Sequence, residues 1–387
     1  MKRLVTCESV TCGHPDKVCD QVADAILDAY KKEDPESHVA VEVSMSYRRV
    51  FVMGEVRSKA KIEIEPLIRK TICEIGYDND TLEFNGNTIP IDIDIRTQSE
   101  DISMGVDQAR DVVGQLGAGD QGMMYGYACS DTDNKMPYPY ELATKLAHRL
   151  EVVRKEQLIP YLRPDGKTQV TMEYDGEEPV RIQTILISTQ HEPNIELAQL
   201  RKDLLTHVID PVLEARWDSA SIQILVNPTG RFVLGGPAAD SGLTGRKIIA
   251  DTYGGIGHHG GGAFSGKDAT KVDRTAAYYT RYVAKNLVAA NCCRKCEVSV
   301  SYAIGVANPI SISIDTFDTA RYPEETLLHV IETVFDFRPS QMIEALSLDK
   351  VEFQTLSNYG HFGWNANKLS WEQTDKVEAI KAALKTL

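Results

Sequence analysis

A chain of 387 residues with 42% hydrophobic and 25% charged residues has globular proportions and enough length for two or three domains with substantial cores. Its net charge of −14 argues against a general affinity for nucleic acid or anionic membranes. No apolar run approaches the roughly 20 residues that a bilayer span requires.

The start Met1-Lys2-Arg3-Leu4 turns polar at Thr6, so a soluble, cytoplasmic protein is expected, and the scattered cysteines read as reduced thiols. Residues 15–30 carry Val18, Val22, Ile26 and Ala29 at helical spacing, which predicts an amphipathic helix. Residues 39–45 and 91–95 alternate with period two and predict half-buried strands, with Glu42, Asp92 and Asp94 on the polar face. Residues 96–123 are rich in Gly, Asp, Gln and Ser; so long a loop in a compact protein suggests a mobile lid over a substrate. A helix over 140–157 follows, then strands over 168–174 and 181–189, a helix over 195–208 and a strand over 221–226. The last portion predicts a strand over 247–251, a helix over 271–290, strands over 297–305 and 310–315, and terminal helices. Strands joined by short turns outnumber strand-helix-strand crossovers, so the class is α+β rather than a doubly wound parallel sheet.

Four segments carry candidate chemistry. Gly13-His14-Pro15-Asp16-Lys17 opens the first helix, with free amides and a positive dipole end suited to an anion. There His14 can donate to a phosphate, Lys17 supplies charge, and Asp16 can hold Mg2+; a plain capped helix start accounts for the motif equally well. Gly260 through Asp268 contains a GxxxxGK match at Gly261–Lys267, but Asp268 stands where a P-loop needs Ser or Thr. What survives is a glycine-rich cradle with Lys267 as a point charge. Asn227-Pro228-Thr229-Gly230-Arg231-Phe232 brings an arginine and a ring to a turn-rich edge, and Asp165-Gly166-Lys167 reads as an Asp-Gly turn. From Arg246 to Lys285 the local charge reverses, with Arg246, Lys247, Lys267, Lys271, Arg274, Arg281 and Lys285 against Asp251, Asp268 and Asp273. That excess suggests a compact anionic ligand, although Arg281 and Lys285 read better as a solvated helix face. Cys293-Arg294-Lys295-Cys296, beside Cys292, is a lone CxxC without the second pair that a zinc site would need.

Gly13–Lys17, Gly117-Ala118-Gly119-Asp120-Gln121-Gly122 and Gly260–Asp268 together resemble the signature motifs of methionine adenosyltransferases, in matching order and spacing. The likeness runs from Glu8-Ser9-Val10 to Tyr359-Gly360-His361-Phe362-Gly363. It departs at Cys12, where the family usually has an acidic residue, at Gly257-His258-His259, and at Leu369-Ser370-Trp371-Glu372, which lacks a common proline.

The resemblance implies three similar α+β domains about a pseudo-threefold axis: an N-terminal domain (1–100), an active-site loop and linker (101–122), a central domain (123–231) and a C-terminal domain (232–387). It implies a homotetramer built as a dimer of dimers, with active sites at the dimer interface. The family reaction joins the sulfur of L-methionine to C5′ of ATP, and the expelled triphosphate is then hydrolysed to pyrophosphate and phosphate. By this likeness His14, Lys167, Arg246 and Lys267 surround the triphosphate as the catalytic set. Glu8, Asp165, Arg231, Phe232, Asp240, Lys247 and Ala263 complete the ATP site. Glu55, Gln98, Asp240 and Lys271 bind methionine. Asp16 and Asp273 hold Mg2+, two ions per site, and Glu42 holds one K+. A thioether has no proton to lose, so the transfer needs no general base and relies on alignment and charge stabilisation. A triphosphate hydrolase would need no methionine set, and a catalytically silent regulatory partner would be expected to lose the charged groups that this chain retains.

Overall fold

The computed structural model describes residues 2–97, 108–364 and 368–386. In chain order the regular elements are β1 (Lys2–Val10), α1 (Pro15–Glu33), β2 (His38–Ser46), β3 (Arg49–Arg57), α2 (Ile64–Ile75), β4 (Ile91–Thr97), β5 (Gly122–Cys129), α3 (Tyr138–Lys155), β6 (Leu162–Asp175), β7 (Glu178–His191), α4 (Leu197–Leu204) and β8 (Gln223–Val226). They continue with β9 (Gly242–Leu243), α5 (Ile248–Asp251), α6 (Val272–Ala289), β10 (Lys295–Tyr302), β11 (Ser311–Asp315), α7 (Glu324–Val334), α8 (Pro339–Ala345) and α9 (Val377–Thr386).

Three sheets result, in the orders β1-β6-β7-β8, β4-β3-β2-β9 and β11-β10-β5. Only β3·β4 and β7·β8 run parallel among the described pairs, which gives the α+β class expected from the short turns. Each sheet packs one face on a long helix: β1 and β6 on α3, β2 on α1, and β5 and β10 on α6. Val18, Val22 and Ile26 of α1 are fully buried, as the periodicity predicts. The sheets also exchange strands along the chain. β1 pairs with β6 from Lys2↔Asp175 to Val10↔Lys167, and β5 pairs with β10 from Lys295↔Cys129 to Tyr302↔Gly122.

Several sequence expectations change. Residues 247–251 form a helical turn, α5, instead of a strand, because Asp251 turns inward to meet Lys17 at 2.6 Å. Arg281 and Lys285 are not a solvated face; both are buried on α6 and share Glu372, at 2.9 and 2.6 Å. Asp165-Gly166-Lys167 is not a turn between elements but the irregular start of β6, beside a register shift between Leu162 and Gly166. The stretch expected as a lid is strand up to Thr97 and again from Gly122, and its residues 98–107 lie outside the described residues.

Candidate active site

The N-terminus of α1 forms the floor of a cleft. His14 caps the helix, its Nδ1 accepting the Asp16 amide at 3.2 Å, which leaves the neutral ring with its proton on Nε2. Burial, with Lys247 and Lys167 nearby, drives the His14 pKa far below the ordinary imidazole value, so the ring is a neutral donor. Thr11 ties this turn to the start of β6 through bonds from its hydroxyl to the Pro164 carbonyl (2.7 Å) and from its amide to the Gly166 carbonyl (2.9 Å). That contact brings Asp165 and Lys167 to the cleft.

Asp16 receives Lys247 at 2.5 Å, the Leu243 amide at 3.0 Å and, more distantly, Arg246 at 3.9 Å. Burial alone would raise its pKa, but Lys247 and the Leu243 amide outweigh it and hold the carboxyl ionised. The glycine-rich segment supplies the opposite wall. It docks on the edge of β2, where the Val41 amide donates to the Gly266 carbonyl at 2.9 Å and Ala40 bridges to Lys267. Lys267 meets Asp273, in the first turn of α6, at 2.5 Å, and Lys271 meets the buried Asp268 at 2.6 Å. A cavity of about 260 Å³ opens beside Lys267, lined among others by Glu42, Glu55, Thr244, Ala263 and Ser265. The Ser265 hydroxyl is buried there with no hydrogen-bond partner.

Asp165 is almost fully buried. Its Oδ2 accepts the Gly236 amide at 2.8 Å while Oδ1 has no partner, and burial pushes its pKa up to about 6 against the pull of that amide and of Lys167. Asp240 adds a repulsion from close by. Phe232 is fixed against His191, whose Nε2 accepts the Phe232 amide at 3.2 Å.

Three family models cover most of the chain: the S-adenosylmethionine synthetase N-terminal domain at residues 2–100, its central domain at 115–232 and its C-terminal domain at 234–373. A protein of Finegoldia magna named S-adenosylmethionine synthase is 50% identical over 392 residues, covering 99% of this chain and 100% of its own. One of the same name from Clostridium botulinum is 52% identical over 388 residues, covering 98% and 99%. The chain belongs to the S-adenosylmethionine synthetase family.

Within this S-adenosylmethionine synthetase fold the expected site residues fall into two groups. His14, Asp16, Lys167, Arg246, Lys247, Asp165 and Asp240 gather at the first helix and the start of β6, while Glu42, Glu55, Ala263, Lys267, Lys271 and Asp273 gather round the glycine-rich segment. Glu8 and Arg231 are exposed, and Glu8 stands opposite Gln169 in the first sheet. Gln98 lies outside the described residues. Lys17, expected to supply charge to a phosphate, is committed to two carboxylates instead. It is buried on the core side of α1, held by Asp20 at 2.9 Å and Asp251 at 2.6 Å, because consecutive helical residues point about 100° apart. Those two carboxylates outweigh burial and raise its pKa. Cys12, the departure beside this motif, is buried and its amide donates to the Tyr359 hydroxyl at 3.3 Å, so the turn is anchored without an acidic side chain. Sequence reading missed Ser265 and Thr244; their nearness to Glu42 appears only once the glycine-rich segment docks on β2.

Proposed function

We propose that this chain forms S-adenosylmethionine from L-methionine and ATP and then hydrolyses the released triphosphate to pyrophosphate and phosphate. The observation that carries the reading is the gathering of neutral His14 with Lys167, Arg246 and Lys247 at the start of α1, together with a second group in which Lys267 lines a cavity bearing two carboxylates. In the transfer, a sulfur lone pair forms the bond to C5′ while the C5′–O bond breaks and its electrons leave with the triphosphate. No proton moves. His14, Lys167, Arg246 and Lys267 take the growing negative charge, an arrangement preset by the fold. Asp165, with its free buried oxygen, Arg231, Phe232, Asp240, Lys247, Ala263 and Glu8 form the rest of the ATP site. Glu55 and Asp240 receive the methionine ammonium, Lys271 its carboxylate, and Gln98 completes that pocket.

Asp16 and Asp273 are the Mg2+ ligands in this reading. Among the described residues no three His, Cys, Asp or Glu side chains cluster as a metal cage. Two separated carboxylates suit an ion that borrows phosphate oxygens and water for its remaining contacts. Bound Mg2+ supplies charge neutralisation on the phosphates. Glu42, sharing its cavity with the unpartnered Ser265 hydroxyl, fits a K+ ion that seeks oxygen donors.

The outer face of the β4-β3-β2-β9 sheet exposes Phe51, Met53 and Leu243. Exposed large apolar side chains on one sheet face support burial against a second copy, within a dimer-of-dimers homotetramer. Among the described residues no helix is long and apolar enough to cross a membrane, in keeping with a cytoplasmic enzyme.

The test is incubation of the purified protein with ATP, Mg2+, K+ and methionine, with products separated by chromatography. Methionine-dependent S-adenosylmethionine, phosphate and pyrophosphate are expected. Phosphate without S-adenosylmethionine would favour a hydrolase, and no turnover a silent partner.

A further inference from the structure

His14 leaves the chain from a turn whose backbone is held by buried groups. The Cys12 amide donates to the Tyr359 hydroxyl at 3.3 Å, and the Cys12 carbonyl accepts Gln21 Nε2 at 2.8 Å. A third contact comes from the end of α2, where the Tyr77 hydroxyl donates to the Gly13 carbonyl at 2.6 Å. That carbonyl shares one peptide group with the His14 amide, which donates to the Thr11 carbonyl at 3.1 Å. A peptide is planar, so a hydrogen bond on each side of it fixes the plane from which the His14 side chain departs. With Nδ1 held in turn by the Asp16 amide, the direction of the Nε2 proton is set.

Tyr77 is itself firmly placed. It follows Gly76, whose φ of 120° ends α2, and it is fully buried. Its amide donates to the Ile72 carbonyl (3.2 Å), its carbonyl accepts the Gly86 amide (2.8 Å), and its ring meets Phe84 edge-on at 5.8 Å. On the far side of the hydroxyl stands Gly236, where an added Cβ would lie 2.0 Å from the Tyr77 oxygen. The polar groups of Gly236 are engaged elsewhere: its amide donates to Asp165 Oδ2 at 2.8 Å and its carbonyl accepts the Asp240 amide at 3.1 Å. The hydroxyl is thus wedged between two glycines, with the Gly13 carbonyl as its acceptor. Burial, and then the nearness of Asp165, push its pKa well above the ordinary phenol value, so it stays a donor.

We propose that Tyr77 is a positioning residue for adenosyl transfer, its hydroxyl fixing the Gly13–His14 peptide so that His14 Nε2 is aimed at the triphosphate. The inference rests on the functional reading above, which places His14 at the triphosphate, and it involves no other cation of the site.

Tyr77→Phe removes one oxygen and keeps the ring in its setting. Tyr302→Phe is the control: its buried hydroxyl also donates to a backbone carbonyl, that of Phe337, at 2.6 Å, and neither residue belongs to the two groups of site residues. Turnover, melting temperature and the affinity for inorganic tripolyphosphate with Mg2+ are measured for both variants, and for Tyr77→Phe in a His14→Ala background as well. Both single variants should lower the melting temperature by a similar few degrees, since each leaves a buried carbonyl unpaired. Tyr77→Phe alone is expected to lower kcat by roughly 10- to 100-fold, the scale of a small displacement of a reacting group. It should weaken tripolyphosphate about five- to tenfold in the wild-type background, but less than about twofold beside His14→Ala, because it acts through His14. Tyr302→Phe should leave turnover and tripolyphosphate affinity within about twofold. Wild-type turnover in a folded Tyr77→Phe protein, an equal fall in Tyr302→Phe, or an equal tripolyphosphate loss in both backgrounds overturns the proposal and leaves the functional reading standing. If the wild-type chain made no S-adenosylmethionine, that reading would fall, while the tripolyphosphate affinities would still decide whether Tyr77 acts through His14. A wild-type chain that bound no tripolyphosphate would overturn both.

Discussion

Arg281 donates through Nε and Nη2 to the two carboxylate oxygens of Glu372, at 3.1 and 2.9 Å, and neither side chain reaches solvent. Lys285 reaches the same carboxylate at 2.6 Å, so two cations on helix α6 share one acid near the end of the chain. Replacing Glu372 with Gln would leave both cations without a counter-charge. A loss of about 3–5 kcal/mol is expected in denaturant unfolding, with activity per folded molecule retained. A change below about 1 kcal/mol would show that the pair contributes little.

Lys267→Ala removes a cation assigned to the leaving triphosphate and leaves Asp273 without its ion pair. A fall in kcat of roughly 100- to 1000-fold is expected, as for loss of one preset charge-stabilising group. Steady-state kinetics at saturating ATP and methionine give the answer, and near-normal turnover removes Lys267 from that role.

Glu55 is exposed on β3 at the cavity and carries none of the core, so Glu55→Gln should fold normally. Losing a charged hydrogen bond to the methionine ammonium is expected to raise the methionine KM by about 10- to 100-fold, with the ATP KM little changed. An unchanged methionine dependence rejects the assignment.

Asp28 supplies a pH prediction. Burial pushes its pKa up to about 7, against the pull of the Gln354 and Phe353 amides. The unfolded chain releases this proton near the ordinary carboxylate value, about 4, while the folded chain keeps it to higher pH. Between those values the folded state holds more protons, so the Asp28 contribution to stability falls as pH rises. The melting temperature of Asp28→Asn relative to wild type should therefore increase from pH 4.5 to pH 7.5. A constant difference across that range would contradict the raised value.

The elements that were legible in the sequence are those whose local pattern agrees with their tertiary setting. Val18, Val22 and Ile26 mark α1, and the alternation of Val39, Val41 and Val43 marks β2, because one face of each meets the core. Lys247–Asp251 misleads because Ile248 and Ile249 favour a strand locally, whereas the partner that bends the segment inward, Lys17, lies far away in sequence. The polarity of Arg281 and Lys285 gives no sign of whether water or Glu372 waits opposite them. The site was legible as an inventory of cations and acids; which ones face the cleft depends on helix rotation. Asp16 opens to Lys247 and its neighbour Lys17 turns to the core, a distinction invisible in the motif that contains both.

The exchange of strands between sheets bears on how the chain comes off the ribosome. β1 is made first, but the strand it pairs with begins to complete their register only when Lys167 appears opposite Val10. At roughly 5–20 residues per second, that leaves the first strand's edge unpaired for on the order of 10 to 30 s. The β4-β3-β2 ribbon likewise lacks β9 until later synthesis, and β5 waits for β10. Nascent chains of this protein therefore carry open strand edges until late in translation, and each third of the chain holds a strand whose partner lies in another third.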